Sequence, residues 1–216
     1  GNNLVLDKMI YGMDVSIPQL YNKDEKQSYY DLAVTGFGQG QILMSPLQMA
    51  CYVSAYANDG KIMQPYLVDS IWHADGTDYS LVEQRKPTVY KQLFQQSTVD
   101  ALYPALLMVP KEGTAKSMYK SFLTKVPLSL GYELAGKTGT AEITDNKTKE
   151  LAWFVCWRDA DTESREKVTE ENARLVCIML EVNLVTMDGK PEWGQMKYDI
   201  ARAMLKKDVL NNDNIT

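Results

Sequence analysis

The sequence is poor in histidine and cysteine, the side chains that most often bind metals or carry nucleophilic chemistry. Among its 216 residues there is one histidine, His73, and there are three cysteines, Cys51, Cys156 and Cys177. No Cys and His residues follow the spacing of a zinc site, so the sequence predicts no metal. His73 falls in a predicted surface strand and turn, which disfavours it as a catalytic base. The cysteines lie in apolar runs and are expected to be buried free thiols, although a disulfide between Cys156 and Cys177 stays open.

The sequence also lacks an excess of basic charge and a long apolar run. It has 23 Lys and Arg against 28 Asp and Glu, a net charge of −5, which argues against a nucleic-acid partner. No stretch predicts a signal peptide or a membrane-spanning helix. The hydrophobic content of 45% is ordinary for a protein with a buried core. Because the sequence opens on Gly1 rather than on methionine, we expect it to be part of a longer protein.

Helices are predicted from start and stop signals. Ser45, Pro46 and Gln48 form a helix N-terminus, and residues 58–60 (N-D-G) end that helix after Ala57. Other helices are predicted over residues 4–13, over residues 98–109 with Ser97 as the N-cap, and after Pro191. Residues 14–30 and the glycine-containing residues 32–41 are predicted to be loops.

Strands are predicted mainly in the second half of the sequence. Two apolar runs, at residues 132–142 and 151–157, are separated by a polar turn and predict a hairpin. Residues 173–185 predict a central strand, and residues 159–172 a charged, solvated insertion. Residues 66–72 and 86–93 are also expected to be extended. Sequential strands with flanking helices favour an α+β fold, in which helices pack on an antiparallel sheet.

The most informative stretch is K-T-G-T-A-E at residues 137–142, on the first strand of the predicted hairpin. Lys137 supplies a positive charge, Thr138 and Thr140 supply hydrogen bonds, and Gly139 allows a ligand to approach the backbone closely. This combination suits an anionic ligand with an acyl group. Glu142 either tunes the charge near Lys137 or is an exposed carboxylate at the strand end.

Several short motifs occur in a fixed order along the sequence. They are G-Q-G at residues 38–40, S-P-L-Q-M-A at 45–50, A-N-D-G at 57–60, G-T-A at 113–115, K-T-G-T-A-E at 137–142 and A-W-F at 152–154. This order resembles the C-terminal part of the transpeptidase domain of class B penicillin-binding proteins, from about residue 32 to the final helix. The resemblance implies a fold like that of the serine β-lactamases and transpeptidases, with residues 1–216 as its incomplete C-terminal portion.

The resemblance also implies a function. Members of this family are D,D-transpeptidases that cross-link peptidoglycan stem peptides through a serine acyl-enzyme, bind β-lactams and need no cofactor. Lys137, Thr138, Gly139 and Thr140 would form one wall of the substrate site. Thr138 and Thr140 would bind the carboxylate, and the Thr140 N–H would form half of the oxyanion hole. The parent protein would be anchored at the extracytoplasmic face of the membrane, with other cell-wall synthesis proteins as further partners.

The sequence departs from the family in its catalytic motifs, S-x-x-K and S-x-N, which should precede K-T-G. The S-M-Y-K match at Ser117 lies too close to Lys137, and the S-R-E-K match at Ser164 follows it. The Y-A-N match at Tyr56 coincides with a helix end. We therefore expect no catalytic residue in this chain, which should be inactive alone and should self-associate through exposed apolar surface. A non-catalytic scaffold or a β-lactam-sensing domain is the alternative.

Overall fold

The computed structural model describes residues 26–40, 42–117, 132–143, 148–160, 175–183 and 192–212. Its four helices are α1 (Tyr29–Gly36), α2 (Pro46–Ala57), α3 (Gln96–Lys111) and α4 (Glu192–Asn212). Its seven strands are β1 (Lys61–Met63), β2 (Ser70–Asp75), β3 (Asp78–Gln84), β4 (Val89–Gln92), β5 (Tyr132–Glu142), β6 (Lys149–Ala160) and β7 (Leu175–Asn183). The helix predicted for residues 4–13 and most of the charged insertion lie outside the described residues.

The main sheet is antiparallel and has the strand order β5-β6-β7. The predicted hairpin is confirmed: β5 pairs with β6 without a register shift, and Lys137 lies opposite Val155. In the described part of the sheet β6 is the central strand and β7 pairs with β6 alone, whereas the sequence predicted residues 173–185 as central. The apolar sequence of β7 has another cause, because helices cover both faces of the sheet.

Side chains alternate between the two faces of the sheet, and each face is covered by different helices. On the face that we call the α4 face, Phe154 and Cys156 pack against Tyr198 and Leu205 of α4. On the opposite face, called the α2 face, the buried cluster consists of Val53, Tyr103, Ala135, Val155 and Trp157. The prediction of an antiparallel sheet with packed helices, an α+β fold, is thereby confirmed.

Helix α2 begins and ends where the sequence predicted. The Ser45 side chain accepts from the Gln48 N–H, and the Gln48 side chain accepts from the Ser45 N–H, which completes a capping box. After the helix, Asp59 and Gly60 have φ values of 49° and 78°. A Cβ on Gly60 would lie 2.2 Å from the Phe94 carbonyl oxygen, so the helix end requires glycine.

One helix was predicted as a loop, and another was predicted with the wrong bounds. Residues 32–36 were predicted as loop but belong to α1, which is capped by Ser28 and Asp31; the glycines that suggested a loop fall at or beyond the helix end. Helix α3 begins at Gln96 after the N-cap Gln95, not after Ser97, and continues through Pro110 to Lys111. Its N-cap makes no side-chain hydrogen bond, so no capping residue marked the start in the sequence.

The remaining strands form two small antiparallel pairs, β1 with β4 and β2 with β3. The β2–β3 hairpin turns at Gly76, whose φ is 62°, as its Asp-Gly sequence predicted. Strand β2 lies later than predicted, at residues 70–75, and β3 was not predicted. The final helix, predicted after Pro191, is confirmed as α4 and extends to Asn212.

Candidate active site

The K-T-G-T residues lie on β5, at one edge of the described sheet. Ile143 donates its N–H to Lys149 O on β6. Because the register between β5 and β6 has no shift, alternation places the N–H and C=O of Lys137 and Gly139 toward β6 as well. The N–H and C=O of Thr138 and Thr140 then point away from β6. We call this second side the free edge, since no described strand pairs with β5 there.

The Lys137 ammonium also lies at the free edge. Its Nζ donates to the Thr138 carbonyl oxygen at 2.7 Å, and the side chain is exposed. A positive charge therefore lies beside the backbone N–H and C=O groups of β5 that do not pair with β6. This arrangement can attract an anionic group of a ligand that runs along the strand.

A pair of hydroxyl groups joins the G-T-A motif to the K-T-G motif. Thr114 Oγ1 and Thr138 Oγ1 are 2.8 Å apart and share a hydrogen bond. Thr114 follows α3, and burial raises the pKa of the Tyr198 phenol on α4, an effect that the Thr114 side chain partly offsets. Thr114 belongs to the G-T-A motif, for which the sequence predicted no role. The structure shows that this turn positions the side chain of Thr138.

Two glycines of β5 pack closely against the neighbouring strand, and the first of them leaves no room for a side chain. A Cβ on Gly136 would lie 2.6 Å from the Val155 carbonyl oxygen, and a Cβ on Gly139 would lie 3.3 Å from Trp153 Cβ. From the sequence, Gly139 is expected to let a ligand approach the backbone closely. Packing against β6 accounts for a glycine at this position independently of any ligand.

Lys197 on α4 is a residue near the site that the sequence analysis missed. It is only 5% exposed, and its Nζ donates to the Gly139 carbonyl oxygen at 3.3 Å. Burial lowers the pKa of Lys197, the Glu150 carboxylate raises it, and the positive charge of Lys137 lowers it. The signal in the sequence was a lysine on an otherwise apolar helix face, next to Tyr198.

The other matches to catalytic motifs have structural surroundings. Ser117 is exposed and donates to Gln195 Oε1 of α4 at 3.3 Å, while Lys120 and the match at residues 164–167 lie outside the described residues. Tyr56 packs on Phe94 with ring centroids 4.7 Å apart, and Asn58 Nδ2 donates to the Lys61 carbonyl oxygen. These contacts support the interpretation of residues 56–58 as a helix end.

The histidine and the cysteines are not part of the candidate site formed by the K-T-G-T residues. His73 lies on the exposed hairpin, opposite Ser80. All three cysteines are free: Cys156 packs on the α4 face and Cys177 on the α2 face, so a disulfide between them is excluded by the sheet. Burial raises the pKa of each thiol, to about 11 for Cys177. These thiols are packing residues rather than nucleophiles.

Two further features are absent from the described part of the chain. It contains no group of three or more His, Cys, Asp or Glu residues that could hold a metal ion. None of its helices combines the length and the apolar character needed to cross a membrane.

Comparison with known proteins decides the family. A family model described as the penicillin binding protein transpeptidase domain matches residues 5–165. The chain belongs to this family. Stage V sporulation protein D of Bacillus subtilis (strain 168) is 31% identical over 144 residues, which are 65% of this chain and 20% of that protein. The peptidoglycan D,D-transpeptidase PbpA of Mycolicibacterium smegmatis is 30% identical over 131 residues, 60% of this chain and 24% of that protein.

Solved structures of penicillin-binding proteins have a similar fold. PBPA from Mycobacterium tuberculosis has a TM-score of 0.65 at 20% identity, over 91% of this chain and 41% of that one. Penicillin-binding protein 2B from Streptococcus pneumoniae (strain R6) has a TM-score of 0.62 at 17% identity, over 94% and 30%. The resemblance to a class B transpeptidase domain is confirmed. The chain spans about a fifth to a quarter of the length of the two curated relatives named above.

Proposed function

We propose that the free edge of β5 is one wall of the substrate site of a peptidoglycan D,D-transpeptidase, which also binds β-lactams. The observation that supports this proposal is the orientation of the strand: the Thr140 N–H points to the free edge, and the Lys137 ammonium lies at that edge on the Thr138 carbonyl oxygen. The Thr138 hydroxyl next to them is held by Thr114. An extended stem peptide can add to such an edge as a further strand. Its carboxylate would bind Lys137 and the two threonine hydroxyls, and its acyl oxygen would accept from the Thr140 N–H.

The chemistry that we propose for the whole protein is acyl transfer to a serine. The serine attacks the acyl carbon, the leaving amine departs with a proton, and an acceptor amine then releases the acyl group from the ester. The Thr140 N–H would stabilise the negative oxygen of each tetrahedral intermediate. We place the serine outside this chain and the whole protein at the extracytoplasmic face of the membrane, with no cofactor.

The isolated chain is proposed to be inactive and to self-associate. Helix α1 and its C-cap residue expose large apolar side chains, with Tyr29 94% and Phe37 72% exposed. Apolar groups left in water favour association. Light scattering on the 216-residue chain is expected to show oligomers. A monodisperse monomer that unfolds cooperatively would contradict this expectation.

A substitution pair on the natural gene product that contains this chain tests the wall. Thr140→Pro removes the N–H at the free edge, where the ladder to β6 does not use it, while Thr140→Val removes the hydroxyl and keeps the N–H. We expect Thr140→Pro to slow acylation by a fluorescent β-lactam about a hundredfold, the usual effect of losing an oxyanion-hole donor. The acylation rate of Thr140→Val should fall much less.

Thermal unfolding of both variants controls for misfolding. Equal acylation rates in the proline and valine variants, at equal melting temperatures, would show that the Thr140 N–H is not part of the oxyanion hole. A wild-type protein that forms no covalent adduct would instead favour a non-catalytic scaffold.

A further inference from the structure

Lys197 lies directly behind the strand that carries the K-T-G-T residues. A lysine that is 5% exposed is unusual, because burying an ammonium is costly unless other groups compensate. Three groups do so here. The Gly139 carbonyl oxygen accepts at 3.3 Å, the Tyr198 ring centroid lies 5.4 Å from Nζ, and the Glu150 carboxylate attracts the charge.

The carbonyl group that Lys197 contacts belongs to the peptide group that also contains the Thr140 N–H. Gly139 and Thr140 are joined by a trans peptide bond, so the C=O and the N–H of this planar unit point in opposite directions. The carbonyl faces β6 and receives the Lys197 ammonium, while the N–H faces the free edge.

A cation at the carbonyl oxygen withdraws electron density from the whole amide. Hydrogen bonds in a chain polarise one another in this way, and the effect is larger at low local dielectric. The Lys197 ammonium is buried, so solvent screens it little. The N–H at the other end of the amide therefore becomes a stronger donor.

We propose that Lys197 is a positioning residue that holds and polarises the Gly139–Thr140 peptide, so that the Thr140 N–H is a stronger hydrogen-bond donor at the free edge. This inference rests on the proposed function, in which that N–H binds the acyl oxygen. Lys197 itself touches neither substrate nor nucleophile. It acts from the α4 face, through the strand.

Three variants of the natural gene product test the inference. Lys197→Met keeps the length of the side chain and removes the charge. Lys197→Arg restores a cation. Arg202→Met is the matched control, because it removes from the same helix a positive charge that pairs with Asp199 and not with β5. Acylation by a β-lactam is followed by stopped flow, which separates initial binding from the chemical step.

We expect the chemical step to slow about fivefold in Lys197→Met, with little change in initial binding, because an oxyanion donor is weakened rather than removed. Lys197→Arg should recover most of the rate, and Arg202→Met should equal wild type. The ester carbonyl stretch of the acyl-enzyme should move to higher wavenumber in Lys197→Met only. An unchanged rate, or a slow step with an unchanged stretch and no rescue by arginine, would overturn the inference.

A second readout does not depend on acylation. In protein labelled with ¹⁵N-threonine, the Thr140 amide signal is identified by its loss in Thr140→Val. Its proton resonance is expected to move upfield in Lys197→Met and to return in Lys197→Arg. If the wild type is not acylated, the proposed function fails, and this resonance alone decides the role of Lys197; an unmoved resonance overturns it.

Discussion

The three-stranded sheet and the β2–β3 hairpin are both antiparallel, but their surroundings differ. Phe154 on β6 is fully buried between the sheet and α4, whereas Tyr79 on β3 is 71% exposed. Helices cover both faces of the sheet, and every residue of β3 is exposed. Apolar strand sequence therefore does not by itself show where the core lies. The candidate site lies on an edge strand of the buried sheet.

The largest expected difference between the two regions is in stability. Phe154→Ala should lower the free energy of unfolding by about 4 kcal/mol, since it removes a ring from a closely packed cluster. Tyr79→Ala should change it by less than about 1 kcal/mol. Denaturant unfolding of both variants measures the difference. Equal losses would mean that the hairpin is packed against something that the exposure of Tyr79 does not show.

A smaller difference is expected at two glycines. Gly136→Ala should cost about 3 kcal/mol, because the new Cβ would lie 2.6 Å from the Val155 carbonyl oxygen and strands β5 and β6 must separate. Gly76→Ala in the hairpin turn meets no atom within 4 Å. Its cost comes from a φ of 62° and should be about 1 kcal/mol. The same unfolding assay applies, and a costlier change at Gly76 would reverse the ranking.

The smallest expected effect is a pH dependence of stability, which Lys197 behind the sheet should cause. Burial lowers the pKa of Lys197 in the folded protein, so the unfolded chain holds more protons between that lowered pKa and the ordinary lysine pKa of 10.5. Stability should rise with pH in that window, relative to Lys197→Met. Arg202→Met serves as the control and should leave the slope unchanged. Parallel curves for wild type and Lys197→Met, from thermal unfolding at several pH values, would contradict the burial of this ammonium.

Local signals in the sequence predicted most of the described elements. The capping residues Ser45 and Gln48 fixed the start of α2, and the alternation of two apolar runs predicted the hairpin of β5 and β6. The errors have two different physical causes. Helix α3 has no capping side chain, and the position of β7 in the sheet depends on pairing between strands that are distant in sequence.

The site was predicted only as far as its motif extends. Residues 137–140 could be chosen from the sequence because K-T-G-T is contiguous. The bond between Thr114 and Thr138 joins residues 24 positions apart, and the contact between Lys197 and Gly139 joins residues 58 apart. Contacts of this kind depend on how α3 and α4 pack on the sheet, which no local pattern encodes.

We propose that β5 forms the wall of a β-lactam-binding acyltransferase site, so the whole protein should be acylated by a β-lactam. The intact mass of the natural gene product is determined with and without a β-lactam, and the adduct is mapped by peptide analysis. We expect the mass to increase by one drug molecule, bound to a serine outside this chain. No increase in mass, or an adduct on Ser117, would contradict the claim.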